Sequence, residues 1–336
     1  MIVGVALARP APVVVAVRDG ALLRSATARA VTGTARAVCV AADLDTVPLA
    51  PVAAIRVGGP CPPALGPAAG LGGGAAESTE AVGQGDVAEA AVRPPAAVIV
   101  RGGHSLTGRP LAPLDLDAVR RFAAGCGLRD FAVTATGSPV LADHELAVAA
   151  AVAAEVPGAR ITLSYEFGRP GLRERERSAI RNAALGPGAG RLADRLAHDF
   201  PGAPLYFARS DGGLVSAHYF RRYPAACDGG HAVSLAAGRT ALAGAPGEAE
   251  VSDDVVAAYG ATLGRPQARV ERIVQARGRA ELDRALADVG DEALTRAVSA
   301  GAAPGSARIT ETTVNPLSYL PDGLYRVRVT AEGGPP

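Results

Sequence analysis

The chain has 336 residues, 49% hydrophobic and 20% charged, enough apolar material for a core and no composition of a disordered polymer. With 34 basic and 33 acidic residues the net charge is +1, and every basic residue is Arg; Lys and Trp are absent. That excludes Schiff-base chemistry, P-loop phosphate binding and protein-kinase chemistry, all of which need a lysine, and with aromatics at 4% and no basic stripe nucleic-acid binding is not expected.

From the N-terminus, residues 2–7, 13–17 and 21–23 read as strands, the last two joined by an Asp19-Gly20 turn. Further strands are predicted at 38–42 and 53–57. Residues 58–86 are rich in Gly and Pro, include Gly72-Gly73-Gly74 and lose all periodicity, which marks a loop or connector. From Pro95 strands and helices alternate: a strand at 98–100, a helix at 115–124, a strand at 131–136, a helix at 143–155 with Asp143 as N-cap, and a strand at 161–163. This alternation predicts an α/β domain with a largely parallel sheet. Helices at 172–185 and 189–199, a strand at 205–208, and helices at 214–222, 231–243 and 251–262 follow. The C-terminal stretch predicts a strand at 270–274, a helix at 279–300 and strands at 307–310 and 325–329, a small α+β layer.

Cys39, Cys61, Cys126 and Cys227 lie far apart without a C-x-x-C pair and read as buried apolar side chains. The five histidines show no H-E-x-x-H spacing, and no G-x-S-x-G elbow occurs. Residues 1–7 lack a positive leader, and no apolar run reaches the roughly 20 residues that span a bilayer. The expectation is a cytoplasmic protein with neither membrane nor nucleic-acid partners.

Several collinear segments resemble the hydantoinase/oxoprolinase family, whose ATP-dependent members open cyclic amides. Arg101-Gly102-Gly103-His104, with Gly108-Arg109 and Pro113-Leu114-Asp115, is similar to the family's GGHxxxGxxxxPLD turn. Ser138-Pro139-Val140 with Asp143-His144-Glu145 resembles its SPVxxxHE helix start. Leu163-Ser164-Tyr165-Glu166-Phe167-Gly168, running into Gly171-Leu172-Arg173-Glu174-Arg175-Glu176 and Asn182-Ala183, resembles LSHEhGRxGLLERENxxxxNA. Residues 205–214, with Ser210-Asp211-Gly212-Gly213, resemble LYLSQNDGTL, and 315–321 the C-terminal xxPLAYLPG.

The resemblance implies an α/β protein of actin-like (ribonuclease H-like) architecture, here reduced, with the small C-terminal α+β layer appended. It also implies two DxGGT-type loops for ATP, whose glycines admit phosphates to the backbone N–H groups and whose Asp handles Mg²⁺. Neither loop is present. After Ile2-Val3-Gly4 the chain reads Val5-Ala6-Leu7-Ala8-Arg9-Pro10, and the second loop, due after Ala243, is missing between Gly244 and the helix at 251–262. The family's GTTxxTNA turn is replaced by Val57-Gly58-Gly59-Pro60-Cys61-Pro62, and its SGPxxS turn by Asp228-Gly229-Gly230-His231.

The expected organisation is a degenerate N-terminal lobe at 1–93, an α/β domain at 94–247 and a C-terminal segment at 248–336. Catalytic candidates are Glu174, Glu176, Asp211 and His231. Ligand-binding candidates are Arg101, His104, His144, Asn182, Ser210, Gly212, Gly213, Gly229 and Gly230. Ser210-Asp211-Gly212-Gly213 follows a strand, where α/β folds place ligand crevices, or is an ordinary turn capped by Asp211. Asp228-Gly229-Gly230-His231 opens a helix whose free N–H groups suit an anion, or is a plain capping loop. Arg173, Arg177 and Arg181 share a helix face with Glu174 and Glu176 between them, as a solvated face or a cleft wall. No metal and no cofactor are expected. A structural or regulatory partner of a hydantoinase-type subunit is one expectation, with a small-molecule ligand and a homo- or hetero-oligomer. An ATP-independent enzyme on a cyclic amide is the other.

Overall fold

The computed structural model describes residues 1–7, 11–23, 35–58, 67, 96–168, 171–243, 251–318 and 323–334. Most of the Gly- and Pro-rich connector, with Cys61, lies outside them. Three sheets organise the chain. The first contains β1 (Ile2–Leu7), β2 (Val13–Arg18), β3 (Ala21–Leu23), β4 (Ala37–Ala42), β9 (Leu205–Ala208) and β10 (Leu214–Ser216), in the order β10-β9-β4-β1-β2-β3. β1, β4 and β9 are parallel, and β2, β3 and β10 run antiparallel to their neighbours. β4 is buried at every position, which explains its unbroken apolar run, since both faces of this sheet are covered.

The second sheet is entirely parallel, as the alternation predicts: β5 (Ala53–Val57), β6 (Ala97–Val100), β7 (Asp130–Ala135) and β8 (Arg160–Leu163), in the order β6-β5-β7-β8. α1 (Leu116–Cys126) and α2 (Asp143–Glu155) cover one face through Val119, Ala123, Val148 and Val152. Asp115 caps α1 by accepting from the Ala118 N–H at 3.0 Å, and Gly127 ends it in the left-handed region at φ 66°. α2 differs from expectation: Ala142 is its N-cap, and Asp143 is the first helical residue with no capping bond.

α3 (Leu172–Asp199) is one helix of 28 residues where two were predicted around Pro187. Ala179, Ile180 and Ala183 pack on the second sheet, whereas Leu185, Ala189, Leu192 and Leu196 pack on the first. Both apolar faces must be covered, so packing overrides the breaker. Inside the interrupted turn the Ala50 N–H donates to the Ala184 carbonyl at 2.9 Å, and Gly188 admits Val47 where a Cβ would stand 2.3 Å from it. The other correction is at 214–222. Its first three residues form β10, paired with β9, and only α4 (Ala217–Arg222) is helical.

α5 (Gly230–Leu242) and α6 (Asp253–Ala261) pack together on the opposite face of the first sheet. Small residues bring them close. A Cβ at Gly260 would lie 1.8 Å from the Ser234 carbonyl oxygen, and one at Gly4 of β1 would lie 2.0 Å from that of Ala258. The third sheet, β11 (Gln267–Gln275), β12 (Arg308–Pro316) and β13 (Leu324–Glu332), is antiparallel in the order β11-β13-β12. α7 (Arg279–Ser299) buries one of its faces through Val270, Val289, Ala293 and Val329. The β-α-β-β order is as predicted.

The sheets cut across the boundaries expected at 93 and 247. β1–β4 share a sheet with β9 and β10, β5 pairs with β6 and β7, and α6 belongs to the first sheet rather than the third.

Gly260→Ala should lower the unfolding free energy by roughly 1–3 kcal/mol, because backbone rather than a flexible side chain blocks the methyl group. Gly190→Ala, inside α3 with nothing within 4 Å of the new Cβ, should raise it by about 0.5–1 kcal/mol. Urea denaturation of both variants measures the pair.

Candidate functional site

Loops at the ends of the first two sheets and one face of the third meet around a cleft of about 690 Å³. Its first wall begins at the single 3₁₀ turn Ser164–Phe167 after β8. That turn is held from behind by Glu145, which is fully buried and accepts from the Ala135 N–H at 2.8 Å, the Ser164 hydroxyl at 2.6 Å and the Tyr165 N–H at 3.1 Å. Burial pushes the Glu145 carboxyl up, against the opposing pull of these donors and Ser138. Buried Arg175 donates to the Ala135 carbonyl at 2.9 Å from the other side. Glu166 projects from the turn, with Arg222 at 3.7 Å behind it, and burial together with Glu166 raises the Tyr223 hydroxyl pKa.

α3 adds Glu174 and Ser178, and the β9–β10 turn adds Arg209, Ser210 and Asp211. Arg209 grips Asp211 with two hydrogen bonds of 2.8 Å. Burial disfavours the ionised Asp211 carboxyl, but the Arg209 bonds and charge, the Gly213 N–H and the more distant Arg269 outweigh it, so its pKa lies below the usual range. Ser210 is tied by its N–H to the Ala226 carbonyl at 3.1 Å. Phe167, Tyr219 and Tyr223 give this wall an aromatic lining, the two tyrosine rings 4.8 Å apart.

The second wall is the face of the third sheet turned away from α7. Register places Glu271 opposite Arg328, Arg326 opposite Ile273 and Arg269 opposite Thr330 on this face. Glu271 binds Arg326 at 2.5 Å and Arg328 at 3.1 Å. Among the described residues, Glu174 and Arg269 have no ion-pair partner within 4.0 Å.

The structure thus brings Glu174, Ser210 and Asp211 together and distributes the other sequence candidates elsewhere. Glu176 is buried and paired with Arg56, Oε1 to Nε at 2.7 Å and Oε2 to Nη2 at 2.5 Å, and is a packing residue rather than a cleft residue. His231 sits on α5 with Nε2 4.0 Å from an Asp254 carboxylate oxygen, outside the cleft lining. Asn182 is buried and ties elements together, donating to the Thr162 hydroxyl and the Arg222 carbonyl while accepting from the Ala225 N–H. Arg101 is an exposed residue near Asp115 at 3.6 Å.

His104 and His144 face each other in the second sheet's module, their ring centroids 4.0 Å apart. His144 Nδ1 accepts from the Gly103 N–H at 2.8 Å, and burial and His104 lower its pKa. Gly212 borders a small separate hollow, and Gly213 lies against Gln267. Gly229 caps α5 with φ 85°, and Gly230 packs on the Ala208 carbonyl, where a Cβ would stand 2.1 Å from its oxygen. Of the two, Gly230 serves close packing and Gly229 the left-handed backbone of the cap. Among the described residues no group of three or more His, Cys, Asp or Glu side chains could hold a metal ion.

Sequence reasoning assigned no role to Arg56, Glu145 or Arg175, nor to the arginines of the third sheet. Glu145 and Arg175 stand inside the quoted motifs, but nothing local reveals that they are core residues. The alternation of 269, 271, 326 and 328 along two strands did carry the signal of a polar sheet face.

No family model matches the chain, and no curated protein matches it. Among solved structures it is similar to the ATP-dependent caprolactamase from Pseudomonas jessenii, with a TM-score of 0.63 and 10% identity over 99% of this chain and 87% of the other. It also matches the nucleotide-free structure of acetone carboxylase, an enzyme of ATP-dependent acetone carboxylation, with a TM-score of 0.40 and 14% identity over 56% of this chain and 29% of the other. The caprolactamase likeness establishes a shared α/β fold. No described helix is long and apolar enough to cross a membrane.

Glu176→Gln should cost about 3–5 kcal/mol of stability in urea titration, because it removes the carboxylate that neutralises buried Arg56. Asp211 has the opposite kind of signature. Its folded pKa is depressed, so its contribution is present above the unfolded value of 3.8 and is lost as pH falls through the folded one. Asp211→Asn should therefore flatten the fall in melting temperature below about pH 4.

Proposed function

We propose that the chain is a hydantoinase/oxoprolinase-type protein of reduced actin-like architecture that does not use ATP as that family does. In this reading it acts in the cytoplasm as a structural or regulatory partner of a hydantoinase-type subunit and holds a small ligand in its cleft. The observation that carries the proposal is the dispersal of the catalytic candidates: Glu174 and Asp211 line the cleft, Glu176 is locked to Arg56, and His231 lies by Asp254. General acid–base catalysis needs its groups within hydrogen-bond reach of one reacting centre, and these four do not share one.

The strand order β3-β2-β1-β4-β9, three antiparallel strands continued by two parallel ones, supports the ribonuclease H-like reading. The connection between β1 and β2 supports the loss of ATP. It reads Ala8-Arg9-Pro10-Ala11-Pro12, where a phosphate loop would need Asp, glycines and a hydroxyl. Pro10 and Pro12 have no N–H to offer a phosphate. The caprolactamase is ATP-dependent by name, so the shared fold does not itself require this loss.

A second reading, an ATP-independent enzyme acting on a cyclic amide, draws on Glu174, which has no ion-pair partner among the described residues, and ionised Asp211 beside it in one cleft.

The test incubates the purified chain with Mg-ATP and 5-oxoproline, following phosphate release and ring opening. Neither is expected, and ATP turnover would overturn the proposal. Ring opening without ATP, abolished by Glu174→Gln, would establish the second reading instead. Co-expression with a hydantoinase-type subunit should yield a stable complex by size-exclusion chromatography with light scattering. Separate elution of the two chains would remove the partner role.

A further inference from the structure

The charges of the cleft are divided unequally between its walls. The wall built by the 3₁₀ turn, α3 and the β9–β10 turn carries three carboxylates, Glu166, Glu174 and Asp211, against one cation, Arg209. The wall built by β11 and β13 carries three arginines, Arg269, Arg326 and Arg328, against one carboxylate, Glu271. Close pairing occurs within each wall: Arg209 with Asp211, Glu271 with Arg326 and Arg328, and Glu166 with Arg222 behind it. Among the described residues lining the cleft, no ion pair within 4.0 Å joins one wall to the other. Arg269 acts on Asp211 only through space.

After this internal pairing Glu174 remains on one side and Arg269 on the other, among the described residues. Glu271 also offers one negative charge to two arginines, so the second wall keeps an excess of positive charge. The cleft volume lies within the range of about 300–1,000 Å³ that small-molecule sites occupy.

We infer that the cleft binds a zwitterion, a small molecule with an ammonium group at one end and a carboxylate at the other. The ammonium faces Glu174 and the aromatic rings of Tyr219 and Tyr223, which attract cations through their faces. The carboxylate faces Arg269 and the arginines beside it, in the fork geometry that suits a guanidinium. A simple anion or a simple cation satisfies one wall and leaves the other facing water. This inference rests on the reading of the cleft as a ligand site and adds the class of ligand.

Isothermal titration of the full chain with glycine, β-alanine, 4-aminobutanoate and 5-aminopentanoate tests it, with butanoate and butylammonium as single-charge controls. At least one of the four bipolar probes should bind about tenfold or more tightly than either control, and their order reports the spacing of the two charges. Glu174→Gln should weaken that probe at least about tenfold and leave butanoate unchanged, whereas Arg269→Gln should weaken both. Both residues are exposed at the wall surface, and circular dichroism verifies that each variant is folded. Arg191→Gln, in a separate hollow beside β1 and β4, should change nothing. The inference is overturned if none of the four probes binds, if a single-charge control binds as tightly, or if the two variants bind like the parent chain. ATP turnover would overturn the functional reading while leaving this result standing, and absence of zwitterion binding would do the reverse.

Discussion

The fold depends on one helix that must satisfy two sheets. α3 runs from the second sheet to the first, and its buried side chains change partners midway, from Ala179, Ile180 and Ala183 to Leu185, Ala189, Leu192 and Leu196. The pair Arg56–Glu176 fastens the first half of this helix to β5, deep in the protein. A buried ion pair contributes little net stability against an apolar alternative, yet it strongly penalises any arrangement that separates its partners. Here it fixes the rotation and depth of α3 on the second sheet. The position of the first sheet follows, because the same rigid helix carries both contacts.

That rotation determines which acidic side chain meets the cleft. Residues two apart on an α-helix point about 200° from each other, so Glu174 and Glu176 cannot face one crevice. Once Glu176 turns inward to Arg56, Glu174 turns outward. Arg175 points inward to the Ala135 carbonyl, next to the Glu145 carboxylate that braces the 3₁₀ turn. The charges along 173–177 are therefore divided between core and surface, with the buried members setting the positions of the exposed ones and Glu174 alone lining the cleft.

The same residues show what was legible in the sequence. Strand and helix periodicity located nearly every element, because apolar runs flanked by polar turns report burial directly. It failed at Pro187, where a local breaker is overridden by two sheets that the sequence does not display as neighbours, and at 214–216, where a three-residue strand is too short for any period to emerge. Candidate residues were legible as motifs but not as roles. Asn182 and Glu176 have the chemistry of functional groups, and only their tertiary partners assign them to packing. The segment 209–211 was legible because a turn after a parallel strand opens at the sheet's carboxyl edge wherever the strand lies. The opposite wall was missed because its charges belong to two distant strands, Glu271 lying 55 residues from Arg326 and 57 from Arg328, joined only by the register of β11 and β13.

The absence of lysine acquires a structural meaning from these contacts. Arg56 and Arg175 are charged groups in the interior, and a guanidinium retains its charge there while offering five donors in a fixed plane. A lysine ammonium so buried would tend to lose its proton and its pairing with Glu176. In the cleft the same geometry lets Arg209 hold Asp211 through two bonds, and lets two arginines share Glu271. Each wall is thus braced from within before any ligand arrives. The paired side chains lose little freedom on binding, so the ordering cost in the cleft falls on Glu174 and Arg269. The pairings that make the walls rigid are also the ones that leave Glu174 and Arg269 over among the described residues, and those two charges give the cleft its polarity.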